Sequence, residues 1–200
     1  RKSLAFLDVG QGDCFVADTK SGAIIFDGGS SSEDQVGRYR ILPYMKYLGY
    51  QKIQIAVISH MDIDHYSGIK ELLEMGKIKY LGLPEIPKDE TMKKIIGIAK
   101  KRGTTIFYLS RGRQITTKDG SLKVLHPQKN SQMEKNAASL VMQGKILGYR
   151  VLLTGDVEKE GEEELLSEEL ERADILKAAH HGSKNSTSNE FLQKVQPKQT

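Results

Sequence analysis

Residues 52–68, Lys52-Ile-Gln-Ile-Ala-Val-Ile-Ser59-His60-Met-Asp62-Ile-Asp64-His65-Tyr-Ser67-Gly68, decide the fold. The first eight are a short apolar run rich in β-branched residues and read as a buried strand. The stretch 60–68 reads as the loop that leaves it, with Ser67 capping a helix that runs to Met75 and stops at Gly76. Four metal-ligating side chains fall within six residues, His60, Asp62, Asp64 and His65. A metal ion needs lone-pair donors converging on one point, and a tight loop at a strand end can turn several inward. A lone His or Asp would suit a polar loop with a helix cap; two of each in this order do not.

Working outward, strands are expected at 4–9, 14–18 and 23–27, broken by the loops 10–13 and 28–32. A helix is expected over 38–47, with Gly49 behind it as a C-cap. After the central motif come a strand (78–83), a helix (88–102) and strands at 105–109, 113–117 and 122–127. A polar loop (129–136) leads to a hairpin (138–156) turning near Leu147 and Gly148. An acidic helix (158–172), a strand (173–179), a loop and a short helix (188–195) close the chain. Strands lead both halves and helices follow. The expected fold is therefore α/β, a four-layer α/β/β/α sandwich forming one domain over residues 1–200.

The length and the 38% hydrophobic, 28% charged composition fit a soluble globular domain. No apolar run approaches the ~18 residues a membrane span needs. The single cysteine, Cys14, excludes an intramolecular disulfide and any multi-cysteine zinc knuckle. Trp is absent and aromatics are 6%, which argues against a broad base-stacking platform. Net charge is +4, but 158–172 holds eight acids and two bases, so the remainder carries +10. A basic body suits a polyanionic partner, and a solvated surface of mixed charge fits equally well.

Two further apolar strands end in candidate ligands. Leu152-Leu-Thr-Gly-Asp156 delivers a carboxylate, either as a ligand or as the cap of the acidic helix. Ala179-His180-His181-Gly182-Ser183 delivers adjacent imidazoles, suited to one ligand and one substrate-facing partner. The chain has five histidines, and four lie in these loops. The fifth, His126, precedes Pro127 and is expected in a structural turn.

HxDxDH, a later TGD and a final HHGS resemble the metallo-β-lactamase superfamily. The opening LDVGQGDCFV, the FDGG turn, SHMDIDHYSGI, Asn136 with Ser139–Val141, LLTGD and LKAAHHGS narrow the resemblance to the C-terminal domain of the ComEC/Rec2 competence DNA-uptake channel family. It covers Leu4 to about Leu192.

The resemblance implies two divalent metal ions. His60 and Asp62 would bind the first, Asp64 and His65 the second; Asp156 would bridge both, and His180 would complete the second. Asp64 and His181 would be the catalytic pair, with His181 facing substrate. Asp27 would orient a ligand from behind, with Asp13 and Gln11 along the same edge. Ser183, Lys184 and Asn136 would contact substrate. Asp62 stands where the superfamily has its second His, and the third His is missing, with Asn136 in that stretch. The first ion's shell is therefore thin and oxygen-rich, which makes Mn²⁺ a rival to Zn²⁺ and leaves that site weak or empty.

Two ions and three aspartates leave a net +1 centre that suits a phosphodiester. The expected activity is a metal-dependent phosphodiesterase or nuclease using metal-bound hydroxide; the resemblance implies single-stranded DNA or the non-transported strand as its substrate. Alternatives on the same fold are a phosphorylcholine esterase, a thioesterase or lactonase, and a non-catalytic DNA-binding channel domain. The resemblance implies no organic cofactor. Because the chain begins with Arg1, not Met, it is expected to be a processed or excised piece, and the resemblance implies a larger membrane protein as its parent. The last strand and loop of the sandwich would be missing, and the piece would sit on the extracytoplasmic side of the bacterial cytoplasmic membrane beside the parent's channel portion.

Overall fold

The computed structural model describes residues 2–133, 135–167, 170–183 and 186–200, with only the backbone at Lys135 and His181. The chain divides into two compact units, each built on one sheet. No helix among the described residues is long and apolar enough to cross a membrane.

The first unit comprises residues 1–83 and 88–108. Its sheet has the order β1 (Ser3–Phe6), β2 (Phe15–Thr19), β3 (Gly22–Phe26), β4 (Ile53–Val57), β5 (Ile78–Pro84), β6 (Thr105–Leu109). β1, β2 and β3 are an antiparallel meander, whereas β3, β4 and β5 run parallel. Parallel neighbours need crossovers. One turn with i→i+5 bonding (Gly37–Ile41) running into α1 (Leu42–Tyr47) supplies the first, and α2 (Ile63–Glu74) supplies the second. α3 (Glu90–Lys101) starts at Asp89, whose carboxylate accepts the Met92 N–H at 2.7 Å.

α2 begins earlier than expected. Asp62, in extended conformation, is its N-cap residue, so Asp64 and His65 lie in the first helical turn rather than in a loop. Ser67 sits a turn inside, where its hydroxyl accepts the Ser30 N–H at 3.0 Å. The buried face His65, Ile69, Leu72, Leu73 follows i, i+4, i+7, i+8 and fixes the helix from its first turn. An acidic residue there also suits the helix dipole.

The second unit comprises residues 84–87 and 109–200. Its sheet has the order β11 (Ile175–Lys177), β10 (Tyr149–Leu153), β9 (Val141–Ile146), β8 (Gly120–His126), β7 (Gln114–Thr117). Among the named strand pairs of this sheet, β10–β11 is the parallel one, and a parallel bridge also joins Ile175 to Gln199. α4 (Lys159–Leu166) and α5 (Asn189–Val195) contribute to a core of Leu125, Val141, Leu152, Val157, Leu165, Leu176, Phe191 and Val195. The acidic helix is shorter than expected: it ends at Leu166, and Ser167 closes it by donating its hydroxyl to Glu164 O at 2.6 Å; of the expected continuation, residues 168 and 169 lie outside the described residues. A carboxylate-rich continuation would meet the negative end of the helix dipole. His126 ends β8 instead of occupying a turn; its Nε2 lies 2.6 Å from Ala137 O and its Nδ1 3.1 Å from Glu164.

Candidate metal centre

β3 and β4 run parallel in the register Phe26↔Val57, so their carboxyl ends open on the same sheet edge. In parallel sheets that edge is where ligands bind. Asp27 follows β3 directly, fully buried, at φ +58°, and donates its N–H to Val57 O at 2.8 Å. A non-glycine residue held there is conformationally costly and marks a constrained position.

The Asp27 carboxylate gathers three donors. Oδ1 accepts the Ser59 N–H at 2.7 Å, and Oδ2 accepts the Ser59 hydroxyl at 2.7 Å and His65 Nδ1 at 2.8 Å. An ionised carboxylate only accepts, so His65 donates from Nδ1. The single Ser59 proton goes to Asp27, so Ser59 Oγ accepts from His60 Nδ1 at 3.0 Å. Asp27, directly for His65 and through Ser59 for His60, thereby favours the ring proton on Nδ1 and the lone pair on Nε2 in both histidines. Metal-ligating histidines are oriented in this way.

The two rings lie 4.1 Å apart between centroids. His60 Nε2 is 3.5 Å from Asp62 Oδ2, and His65 Nε2 is 3.8 Å from Asp64 Oδ2. Two ligands on one ion with bonds of ~2.1 Å and a tetrahedral angle stand about 3.4 Å apart. Each His–Asp pair thus has nearly the spacing of ligands to a shared ion, and its donor set of imidazole nitrogen and carboxylate oxygen fits Zn²⁺ or Mn²⁺. Asp13, Asp27 and His65 also bring ligand atoms within 4.8 Å of one another, with Asp13 Oδ2 3.6 Å from His65 Nδ1. Because Asp27 already holds that nitrogen, this group reads as a support for His65.

Backbone packing fixes the start of α2 against the two glycine loops. Asp13 N–H donates to Asp64 O at 3.1 Å and Gly28 N–H to His65 O at 2.9 Å. A Cβ at Gly29 would lie 2.5 Å from Ile63 O, and one at Gly12 would lie 2.1 Å from Gly29 O.

In the second unit, the parallel pair Leu153↔Lys177 brings the ends of β10 and β11 together. Asp156 does not cap α4, whose N-cap residue is Glu158. Its buried Oδ1 accepts the His180 N–H at 3.0 Å and Lys177 Nζ at 3.2 Å, and Lys177 also donates to Gly155 O at 2.6 Å. His180, at φ +48°, holds Nδ1 3.1 Å from Glu158 Oε1, and Asn136 Nδ2 reaches the same oxygen at 3.4 Å. Ser183 donates its N–H to His180 O at 2.9 Å. The His181 side chain and Lys184 lie outside the described residues.

Three participants escape the sequence reading. Ser59 looks like the end of a strand. Glu158 looks like part of a solvated acidic helix. Lys177 did carry a signal: a charge inside the apolar run 173–179 must find a partner once buried.

The family description "Metallo-beta-lactamase superfamily" matches residues 7–200. The chain belongs to the metallo-beta-lactamase superfamily. Within it, the chain is similar to ComE operon protein 3 of Bacillus subtilis, 36% identical over 96% of this chain and 27% of that protein. It is also similar to competence protein ComA of Neisseria gonorrhoeae, 28% identical over 95% of this chain and 25% of that protein. These are ComEC-family proteins, as the sequence motifs led one to expect. The chain spans about a quarter of their length. Among solved structures, a class B3 di-zinc metallo-beta-lactamase from an Alaskan soil metagenome matches with TM-score 0.59 at 17% identity, covering 98% of this chain and 89% of that one. At that identity the superfamily likeness is one of fold, and the expected α/β fold with two sheets is found.

Proposed function

We propose that this chain is the metal-dependent phosphodiesterase domain of a DNA-uptake channel, acting on single-stranded DNA or the non-transported strand. One observation carries the reading: the Asp27 carboxylate lies 2.8 Å from His65 Nδ1 and 2.7 Å from the Ser59 hydroxyl, which in turn lies 3.0 Å from His60 Nδ1, an arrangement that favours the Nδ1–H tautomer in both rings. A purely structural histidine pair has no need of two matched lone pairs at Nε2. We assign His60 and Asp62 to one ion, Asp64 and His65 to a second, and Asp156 and His180 to completing the centre, with Asp27 and Asp13 as supports. Two divalent ions, when bound, would activate water near neutral pH and offset charge on a phosphodiester.

The chain's own residues do the rest. Asp27 and Ser59 hold the rings against rotation. Lys177 keeps Asp156 in one orientation and adds a positive charge beside it. Ser183, Lys184 and Asn136 are assigned to substrate oxygens, and His181 to the substrate face. The name of competence protein ComA supports a role in competence; the DNA substrate, the parent membrane protein and the extracytoplasmic position are part of the proposal itself.

Elemental analysis of protein purified without added metal, titration calorimetry with Mn²⁺ and Zn²⁺, and cleavage of a labelled oligonucleotide test the proposal together. Asp64→Ala should abolish tight metal binding. Asp62→Ala should spare one ion yet remove most hydrolysis, because the first ion's shell is the thinner one. Full activity in Asp62→Ala, or two equal tight sites in the parent, would overturn the assignment. Salt-sensitive DNA binding without metal-dependent cleavage would select a binding domain instead.

A further inference from the structure

Four of the eight tyrosines fall between residues 39 and 50, and the segment 36–52 holds two arginines, two lysines and no acid. In the fold this segment is the i→i+5 turn and α1. Its inward side, Ile41 and Met45, is buried. Arg38, Arg40 and Lys46 are exposed, and Tyr39 and Tyr47 are 64% and 83% exposed. Tyr44 and Tyr47 stack, with ring centroids 6.1 Å apart and 29° between their planes. Tyr50 stands apart, its hydroxyl donating to Asp18. The nearest acids in sequence, Glu33 and Asp34, precede the turn, and Glu71 accepts the Arg38 N–H at 3.0 Å.

Rings left in water beside cations are poor value for folding, since their apolar area stabilises only when buried. We propose that this face is a docking strip for single-stranded nucleic acid, one or two bases stacking on Tyr39 and Tyr47 while Arg38, Arg40 and Lys46 hold the phosphates. The inference rests on the nucleic-acid reading above for the kind of polymer, not for its cleavage. Charge complementarity favours a polyanion. Exposed ring faces favour unstacked bases over a duplex, whose π surfaces are hidden. An anionic bilayer fits less well, because an interfacial helix inserts its apolar side and here Ile41 and Met45 are already committed to the core. The low aromatic content argues against a broad platform; a strip two rings wide needs only what this segment concentrates.

The test is fluorescence anisotropy of a short fluorescein-labelled oligothymidylate with the full chain in EDTA, so that binding is read without hydrolysis. Tyr39→Ala and Tyr47→Ala should each weaken binding by at least roughly fivefold, the effect of losing one stacked base. Arg40→Gln should reduce the salt slope by about 0.7. A hairpin duplex should bind without sensitivity to either tyrosine. Circular dichroism melting controls for folding. No binding by the parent, or unchanged affinity in both tyrosine variants, overturns the strip, as does loss of binding to phosphatidylglycerol vesicles in place of loss to the oligonucleotide. Cleavage is assayed separately with Mn²⁺. Tyrosine-dependent binding without cleavage keeps the strip and sinks the hydrolase; cleavage with tyrosine-independent binding does the reverse.

Discussion

Lys177 Nζ lies 3.2 Å from Asp156 Oδ1, and both side chains are buried, at 6% and 3% exposure. Removing one member of such a pair strands the other charge, at a cost of about 3–5 kcal/mol. Lys177→Met should therefore lower the stability of the metal-free protein by about 3 kcal/mol in urea unfolding. Lys177→Met with Asp156→Leu should cost less than the two changes summed, since neither charge remains. A loss below about 1 kcal/mol in Lys177→Met would show that the pair carries little of the fold's stability.

Asp27 and Ser59 make a prediction about affinity. Ser59→Ala removes the acceptor that fixes His60, while the Asp27–His65 bond persists. Asp27→Asn disturbs both rings. Loss of such a support weakens metal binding by roughly 10–100-fold. Calorimetric titration should rank the proteins parent, Ser59→Ala, Asp27→Asn, from tightest to weakest. Equal affinity in all three would remove the central support for a metal centre.

Asp174 sets an acid-side dependence. Hydrogen bonds from the Arg150 side chain and from Lys198 hold its carboxyl well below the usual carboxylate range. Its folded pKa lies below the unfolded value of about 3.9, so the stabilisation is full above that pH and fades as pH falls through the folded value. The melting temperature of Asp174→Asn should trail the parent most near about pH 6 and converge on it well below about pH 4. A gap that stays constant to strong acid would contradict the assignment.

Glu162 is the exception in its helix. It is buried and accepts the N–H groups of Thr187 and Ser188 at 2.7 and 2.9 Å. Glu162→Ala should speed hydrogen exchange across 186–190 and destabilise by about 1.5–3 kcal/mol. Glu160→Lys and Glu163→Lys, at exposed positions, should stay within about 0.5 kcal/mol of the parent. Similar losses at all three positions would mean that Glu162 holds nothing.

Apolar runs ending in His or Asp are visible in one dimension, which is why the ends of β4, β10 and β11 can be read directly. Each depends on its own few residues. Ser59 and Glu158 cannot be read this way, because their meaning depends on a neighbouring strand or turn. The register Phe26↔Val57 is what turns Ser59 from a strand end into a relay. The onset of α2 differs from the expected one for a related reason: Asp62 and Ser67 are both acceptable caps, and the buried stripe from His65 to Leu73 chooses between them. The early end of the acidic helix escapes a pattern based on apolar spacing, since that spacing carries no information on how carboxylates meet the negative end of a helix dipole.

The close approach of Gly12 to Gly29, and of Gly29 to the first residues of α2, constrains engineering. The ligand-bearing segment is not a portable cassette. Transplanting residues 59–68 alone into another parallel sheet would leave the Asp64 and His65 carbonyls without the N–H groups of Asp13 and Gly28. The smallest transferable module is three separate pieces of chain, two of them ordinary glycine turns to the eye. An alanine scan that skips those glycines would miss positions as intolerant as any ligand.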